Sequence, residues 1–346
     1  MYYNFDSAYT LDVLKKLLYT PSPVGYYVRM KPVIEELAAS LGCTVTYDNR
    51  STAYITLDGI DNSKTVLVGA HMDTNGLVVR RIDSDGKIRM RTVGGINYYN
   101  VDGCTVTVLT RDGRSHTGLL TCQSHSTHVF DDARTLPRDD YHMMIILDER
   151  VSSRAEVEAL GIRHGDYIAI DPQYEVTEKG FVKARFLDDK AACACAFTML
   201  KYIVETGARP RYRTMLAFPF KEEIGLGGSY VPPEVSEYLA IDIGLIGPDL
   251  DGNEFSVSIC AKDAKGPYDY ELTNELIALA EKTGTPYALD IFNHYSTDGN
   301  AAQHGGCNVR SAAMGMAVYC SHGRERTHIE GLDATTQLMI AYVLGA

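Results

Sequence analysis

Carboxylates and histidines follow apolar segments at widely separated points of this 346-residue chain. Five of them are expected directly after, or near the end of, five predicted strands: His71, Asp188, Glu223, Asp242 and His328. In open α/β sheets, ligands bind in the crevice outside the carboxyl ends of the strands. Imidazole and carboxylate are also the groups that bind zinc and similar cations. The pattern therefore predicts that these side chains converge on one metal centre.

The number of ligands fits two cations rather than one. Two zinc ions bridged by one carboxylate and one water need two further ligands each to reach four-coordination. With Asp188 as the bridge, His71 and Asp242 complete one site, and Glu223 and His328 complete the other. Three carboxylates and a hydroxide balance the charge of two divalent cations, so such a cluster can be buried. Ions bridged in this way lie about 3.5–4 Å apart.

Two further acids have predicted catalytic roles beside the ligands. Asp73 follows His71 by two residues, and we expect it to orient the imidazole and raise its basicity. Glu222 precedes the ligand Glu223 and faces the other way, so it is the predicted general base for a metal-bridging hydroxide. Structural interpretations also exist: Asp188 could cap a helix, and the two glutamates could form a solvated turn.

The periodicity of the chain predicts an α/β domain interrupted by a small all-β domain. Residues 65–70 are a continuous apolar run typical of a central strand. Residues 76–167 consist mostly of short alternating segments separated by Asp-Gly pairs, which indicates hairpins. The predicted catalytic domain is therefore 1–75 with 168–346, and the inserted β domain is 76–167. Later predicted elements are strands at 181–187, 213–220, 239–246 and 312–319 and helices at 189–205, 273–282 and 332–344.

Composition narrows the class of protein. The net charge of −12 and the pI near 5.3 argue against nucleic-acid or anionic-membrane partners. No apolar run approaches the roughly 20 residues of a membrane span, and the first ten residues do not resemble a secretion signal. The eight cysteines are scattered, so we expect reduced thiols in a cytoplasmic protein.

The motifs around these residues resemble those of the tetrahedral, or glutamyl, family of dinuclear metallo-aminopeptidases, also labelled cellulase M. The similar segments span nearly the whole chain: SPVGY at 22–26, GAHMD at 69–73, LDDK at 187–190, KEEIGL at 221–226, AIDIG at 240–244, TDG at 297–299 and RTHIE at 326–330. Lys190 stands where arginine is more usual in the third of these motifs.

This resemblance implies a zinc-peptidase-like mixed sheet flanked by helices, with a PDZ-like or barrel-like β insertion that serves oligomerisation and substrate access. It implies two divalent cations per subunit, zinc or else cobalt or manganese, and short peptides as substrates. It also implies dimers that assemble into a tetrahedral dodecamer. Asp298, in the TDG motif, is expected to lie near the substrate.

Three features depart from the family pattern or leave an alternative open. Gly227 stands where the family often has arginine, and residues 293–296 replace a glycine-rich segment; both bear on specificity. His322 competes with His328 for the last ligand position, and the family-like residues around His328 favour the latter.

The leading functional hypothesis is metal-dependent removal of N-terminal residues from short peptides. The alternatives are a related dinuclear deacylase of N-acyl amino acids and a metal-stabilised scaffold that binds peptides without cleaving them. Glu222 argues against the scaffold, because a scaffold needs no base beside its metals.

Overall fold

The structure, a computed structural model, describes residues 2–345 and divides the chain into two compact units. One unit comprises the chain up to Asp73 and from Gln173 onward, and the other is Thr74–Pro172. These boundaries lie a few residues from the ones predicted at 75/76 and 167/168.

The first segment of the larger unit contributes two helices and three strands: α1 Ser7–Leu18, α2 Met30–Ser40, β1 Val45–Tyr47, β2 Ala53–Leu57 and β3 Asp61–Gly69. Helix α1 is capped by Asp6, whose carboxylate accepts hydrogen bonds from the backbone N–H groups of Ala8 and Tyr9. Strand β3 is exposed at its start and buried from Thr65 onward. This burial agrees with the apolar run that predicts a central strand.

The smaller unit is a closed antiparallel barrel. Its elements are β4 Gly76–Ile82, β5 Ile88–Val93, β6 Cys104–Leu109, β7 Ser115–Cys122, β8 Met143–Leu147, α3 Arg154–Ala159 and β9 Tyr167–Ile170. The strands close in the order β4-β5-β8-β7-β6-β9. Gly86 and Gly113 lie in the turns of two hairpins and have φ values of +82° and +89°, a region that favours glycine. The predicted all-β insertion is confirmed.

The remaining chain completes the larger unit with ten strands and four helices. The strands are β10 Glu175–Val176, β11 Phe181–Ala184, β12 Tyr212–Phe218, β13 Val235–Ile241, β14 Gly244–Leu245, β15 Val257–Asp263, β16 Gly266–Pro267, β17 Tyr287–Ile291, β18 Arg310–Val318 and β19 Glu325–His328. The helices are α4 Leu187–Thr206, α5 Tyr270–Thr283, α6 Asp298–His304 and α7 Ile329–Leu344.

A mixed ten-stranded sheet organises the larger unit. Its main path is β1-β2-β12-β3-β13-β18-β15-β16, and a separate small sheet has the order β10-β11-β19. Strand β3 lies between β12 and β13 and is parallel to both. Helices α1, α4 and α7 contribute buried apolar residues to the main core. The predicted fold class, a mixed sheet with helices and an inserted β domain, is therefore confirmed.

One predicted strand differs in both length and position. The sequence predicts a strand over residues 181–187 that leads directly into Asp188. In the structure β11 ends at Ala184, and it pairs with β10 and β19 rather than with the main sheet. Phe186 then adopts a left-handed conformation, with φ of 68°, which turns the chain into α4. Asp188 therefore lies at the start of a helix.

Within the described chain, no helix combines the length and apolar character that crossing a membrane requires.

Candidate metal centre

Three of the predicted ligands follow neighbouring parallel strands of the main sheet. His71 lies two residues after β3, and Asp242 comes directly after β13. Glu223 follows β12 within a short 3₁₀ turn at Glu222–Ile224. Because β12 and β13 are both parallel to β3, their carboxyl ends meet at the same edge of the sheet. The sheet topology therefore brings these side chains together, as the sequence predicts.

A glycine in the next strand lets the backbone pack closely against Asp242. The Asp242 N–H donates to the carbonyl oxygen of Met314 at 3.0 Å. A Cβ at Gly315 would overlap the carbonyl oxygen of Asp242. The position of Asp242 is thus set by the main chain of β18 as well as by its own strand.

Asp188 lies between two imidazoles at the start of α4. Its Oδ1 is 3.0 Å from His71 Nε2, and its Oδ2 is 3.4 Å from His322 Nε2. Glu223 Oε2 is 3.5 Å from the same His322 nitrogen. Each oxygen of one carboxylate therefore faces a different histidine, which is the arrangement that a bridging ligand needs.

The donor atoms fall into two overlapping groups. His71, Asp188 and Glu223 offer ligand atoms within 4.8 Å of one another, and so do His71, Glu222 and Asp242. Glu222, the predicted base, is close to the ligands: its Oε2 lies 3.7 Å from His71 Nε2. The site thus contains more carboxylate oxygens than the five-ligand prediction assigns to it.

Asp73 connects the candidate ligand His71 to Glu222, the predicted base. Its carboxylate accepts hydrogen bonds from the backbone N–H groups of Glu222 at 3.1 Å and Glu223 at 3.2 Å. His71 Nδ1 lies 3.0 Å from the Asp73 carbonyl oxygen and 3.6 Å from its carboxylate. The backbone of Asp73 therefore orients the imidazole, while its carboxylate holds the turn that carries both glutamates.

Two buried acids that the sequence analysis did not identify support the site from behind. The Glu325 carboxylate accepts hydrogen bonds from the backbone N–H groups of Asp188 and His322, each at 3.0 Å. The Asp189 carboxylate accepts one from the backbone N–H of His71 at 3.1 Å. Both acids are almost completely inaccessible to solvent. Position in the chain offers a partial signal for them, since each lies within three residues of a candidate ligand.

His328 does not lie in this cluster, and the expectation that it is a ligand is corrected. Its Nε2 is 2.7 Å from the carbonyl oxygen of Lys179, and its Nδ1 accepts a hydrogen bond from the backbone N–H of Glu330. The ring packs against Phe181 and Phe255 with centroid distances of 4.9 Å. Both ring nitrogens are thus engaged in capping α7 and fixing a loop. His322, the alternative in the sequence, takes the position beside Asp188.

Asp298 lies beneath the site rather than on its open surface. Its Oδ1 accepts a hydrogen bond from the backbone N–H of Gly228, and its Oδ2 is buried with no hydrogen-bond partner among residues 2–345. A Cβ at Gly227 or at Gly228 would overlap Asp298. This contact accounts for glycine at 227, where the family often has arginine. The neighbouring Thr297 lines the cavity described below.

Burial and mutual repulsion perturb the acids of the cluster. Burial, and then the charge of Asp188, raises the pKa of Asp242 to about 7. The same two causes raise the pKa of Glu223 well above its usual value. Burial raises the pKa of Glu222 in the same way, and the nearby Asp298 raises it further. The protein alone therefore supplies too little positive charge to keep these carboxylates ionised.

His71 and Asp188 shift each other's pKa values so that both groups stay charged. Burial tends to lower the pKa of His71, but its hydrogen bonds to Asp188 and Asp73 outweigh burial and hold the pKa well above the usual value. Burial tends to raise the pKa of Asp188, and the hydrogen bonds from His322 and His71 reverse this effect. The two imidazoles thus hold Asp188 as a carboxylate, whereas at Glu223, on which both also act, burial and the charge of Asp188 outweigh them.

A cavity of about 260 Å³ opens above these groups. Its lining combines Asp188, Glu222, Glu223, Asp242 and His322 with a second wall of Lys265, His294, Tyr295, Ser296 and Thr297. The departure at residues 293–296 therefore faces the same space as the acids. A buried cluster of ligand groups at the bottom of a polar cavity is suited to metal-assisted hydrolysis of a small substrate.

The comparison with protein families identifies the chain. The family model for the M42 glutamyl aminopeptidases matches residues 51–338. The chain belongs to this family. It is accordingly an aminopeptidase, a hydrolase of peptide bonds, and the family resemblance in its motifs is confirmed.

Known relatives agree with this assignment. The chain is 38% identical to the putative aminopeptidase YhfE of Bacillus subtilis, over 96% of this chain and 97% of the relative. Aminopeptidase APDkam598 from the archaeon Desulfurococcus kamchatkensis has a similar structure, with a TM-score of 0.88, 23% identity and coverage of 98% and 96%. The TET1 peptidase of Pyrococcus horikoshii, which can assemble into a tetrahedron or a large octahedral shell, has a TM-score of 0.85, 23% identity and coverage of 97% and 100%. These two structures share the fold of the M42 chain.

The buried acids predict that the metal-free protein loses stability as the pH rises from about 4 to about 8. Burial, and then Asp188, raises the pKa of Asp242 to about 7 and that of Glu325 to about 8. The folded state therefore retains protons that the unfolded state has released, and deprotonation favours unfolding. The raised pKa of His71 acts in the same direction, because the stability that its protonated form provides is lost as the pH rises.

Urea unfolding of the chelator-treated protein at pH 5 and pH 8 measures this effect. We expect a free energy of unfolding lower by at least about 2 kcal/mol at pH 8, given about 1.4 kcal/mol per pKa unit. Adding a divalent cation at pH 8 should restore stability. A metal-free protein that is equally stable at both values of pH would contradict the electrostatic account.

The placement of the two histidines predicts that His322→Ala and His328→Ala have different effects. His322→Ala should remove one candidate ligand and lower both metal content and peptidase activity, the activity by at least about tenfold. His328→Ala should retain the metal but lower thermal stability, because it removes a helix cap and an aromatic contact. Metal analysis of the purified variants and their thermal unfolding midpoints separate the two roles. If only the His328→Ala variant lost its metal, His328 rather than His322 would be the ligand.

Proposed function

We propose that this M42 chain is a dinuclear metal-dependent aminopeptidase that removes N-terminal residues from short peptides. The observation that carries the proposal is the position of Asp188, whose two oxygens face His71 and His322 separately. Asp188 would bridge two cations, with His71 and Asp242 as further ligands of one. Glu223 and His322 would complete the other.

The residues present fit such a pair of cations. Three carboxylates and two imidazoles form a mixed oxygen and nitrogen donor set of the kind that zinc prefers, and cobalt or manganese can use the same donors. The pKa values of Asp242 and Glu223 are raised by burial and by Asp188, which indicates a site with excess negative charge. Two divalent cations would compensate that charge. When bound, they would act as Lewis acids on the scissile carbonyl and on the attacking water.

Glu222 would transfer the proton in this reaction. Its backbone N–H is held by Asp73, and its carboxylate lines the cavity beside His71. From this position it can accept a proton from the attacking water and deliver it to the leaving amine, which contributes typically 10²–10⁴-fold to the rate. Asp73 would fix the angle of the turn, so that Glu222 faces the cavity while Glu223 remains a ligand.

The cavity supports a substrate with a free amino terminus. Four carboxyl groups line it, and the cations would engage three of them, so a peptide N-terminal ammonium would find its complementary charge at Glu222. We propose that Asp298 contributes indirectly, because its carboxylate holds the backbone of Gly228 beside the cavity wall. Its predicted role in substrate binding thus becomes one of positioning.

We further propose a homo-oligomer in which dimers build a tetrahedral dodecamer, because the structurally similar TET1 peptidase forms a dodecamer and can assemble into a tetrahedron. Exposed Tyr99 and Val129 on the barrel unit provide apolar surface that an interface would cover. We place the enzyme in the cytoplasm, since all eight cysteines are free thiols.

Glu222→Gln tests the catalytic proposal. The amide keeps the shape of the side chain but cannot accept the proton, so we expect activity to fall by about 10²–10⁴-fold. Metal content should stay at the wild-type level. The matched control is Glu234→Gln, at an exposed glutamate of the same unit, which should leave activity unchanged. Loss of metal together with activity would make Glu222 a ligand rather than a base.

A substrate panel tests the reaction class with the metal-loaded wild type. Aminoacyl-p-nitroanilides and short peptides with free amino termini should be cleaved, and their N-acetylated counterparts should not. Cleavage of N-acyl amino acids alone would favour the deacylase. Peptide binding without any turnover would favour the scaffold.

The oligomer is tested by sedimentation velocity on the metal-loaded protein. We expect a principal species of about twelve times the 38.2 kDa chain mass. A monomer at micromolar concentration would contradict the proposed assembly.

A further inference from the structure

The barrel unit carries four arginines on two adjacent strands, although the chain as a whole has a net charge of −12. Arg80 and Arg81 belong to β4, and Arg89 and Arg91 belong to β5. All four lie in the barrel unit, whereas the carboxylate cluster belongs to the larger unit. We call these four residues the arginine cluster.

A β-bulge in β4 places the arginines on one face. Val79 pairs with Met90, but the next pair is Arg81 with Arg89, so Arg80 is an extra residue in the ladder. Val79 and the following Ile82 are buried, whereas Arg80 and Arg81 are both exposed. The bulge therefore turns two consecutive residues outward, where regular alternation would bury one of them.

The arginines on β5 are held by protein groups. Arg89 Nε donates to the Asp83 carboxylate at 2.7 Å, and its Nη1 lies within hydrogen-bond distance of the carbonyl oxygens of Tyr141 and Met143. Arg91 Nη1 donates at 2.8 Å to the carbonyl oxygen of Asp140, and its guanidinium lies over the Tyr141 ring. Two of the four guanidinium groups are thus oriented before any ligand arrives, which lowers the entropic cost of binding.

The acidic residues that pair with the arginine cluster compensate only part of its positive charge. Asp83 pairs with Arg81 and Arg89, and Asp140 pairs with Arg91. The side chain of Arg80 makes no hydrogen bond or ion pair with any other residue between 2 and 345. Four guanidinium groups against two carboxylates give a local net charge of +2.

The shape of the surface matches this charge. The four arginines, together with Asp140 and Tyr141, line a concavity of about 220 Å³. Guanidinium groups present forks of N–H donors that fit the oxygens of phosphate and carboxylate groups in bidentate pairs. A ligand with two negative charges and several oxygens in a small volume would satisfy both the donors and the charge.

We propose that the arginine cluster is a binding site for a small dianionic oxyanion of the phosphate type, either inorganic phosphate or a phosphate monoester. The ligand would contact Arg80 and Arg81 as well as the oriented Arg89 and Arg91. This site does not depend on the metal centre or on the proposed catalytic mechanism.

Isothermal titration calorimetry on the metal-loaded enzyme tests the proposal at constant ionic strength. Inorganic phosphate, glycerol 3-phosphate and succinate are titrated in separate experiments, with chloride as the background anion. We expect saturable binding of at least one of the two phosphate ligands, and the tighter of them identifies the source of the phosphate group. Binding of succinate alone would overturn the proposal. So would a result in which chloride displaces the bound phosphate ligand as effectively as a competing phosphate ligand does.

Substitutions at exposed arginines locate the binding site. Arg80→Gln and Arg81→Gln should each weaken phosphate binding at least about tenfold, as expected for the loss of one charged hydrogen bond. Arg150→Gln, at an exposed arginine of the same unit outside the cluster, should leave it unchanged. Phosphate bound at the metal centre would be unaffected by Arg80→Gln, so equal affinity in that variant and the wild type would refute the assignment.

Discussion

Mutual repulsion among carboxylates that share one buried site is the constraint around which the larger unit is arranged. The acids that support the candidate ligands take their hydrogen bonds from backbone N–H groups. Asp73 accepts from Glu222 and Glu223, and Glu325 accepts from Asp188 and His322. These neutral donors fix the geometry without cancelling the charge. Among residues 2–345, no lysine or arginine forms an ion pair with Asp73 or Glu325. The buried acids thus lack a compensating charge from the protein, which bound cations would supply.

Much of the site could be predicted because one physical rule governs its most regular part. Strand β3 is an apolar run that must be buried on both faces, and such runs form central parallel strands. Once β3 is central, its carboxyl end and those of its parallel neighbours form one edge. His71 and Asp242 follow directly from that rule. The all-β insertion can be predicted on separate grounds, because its Asp-Gly pairs mark turns that need positive φ values.

The rest of the site could not be predicted from local patterns because it depends on irregular backbone. Asp188 reaches the cluster through the turn at Phe186, which no periodicity reveals. The choice between His322 and His328 depends on β19, a short strand that continues past the site and carries His328 away from it. The strand-end rule by itself favours His322, because this residue follows the apolar strand β18 more closely than His328 does. The supporting roles of Asp189 and Glu325 consist of contacts to backbone groups, which leave little trace in residue type.

The position of β3 between β12 and β13 also determines when this enzyme can fold during its own synthesis. Both partners of β3 are encoded more than 140 residues after it, and His322 comes later still. The barrel, by contrast, is continuous in sequence and emerges from the ribosome before those partners exist. The apolar half of β3 must therefore stay unpaired in the nascent chain while the barrel is synthesised. Aggregation of this segment during slow translation, rather than any defect of the finished enzyme, would then limit the yield of active protein.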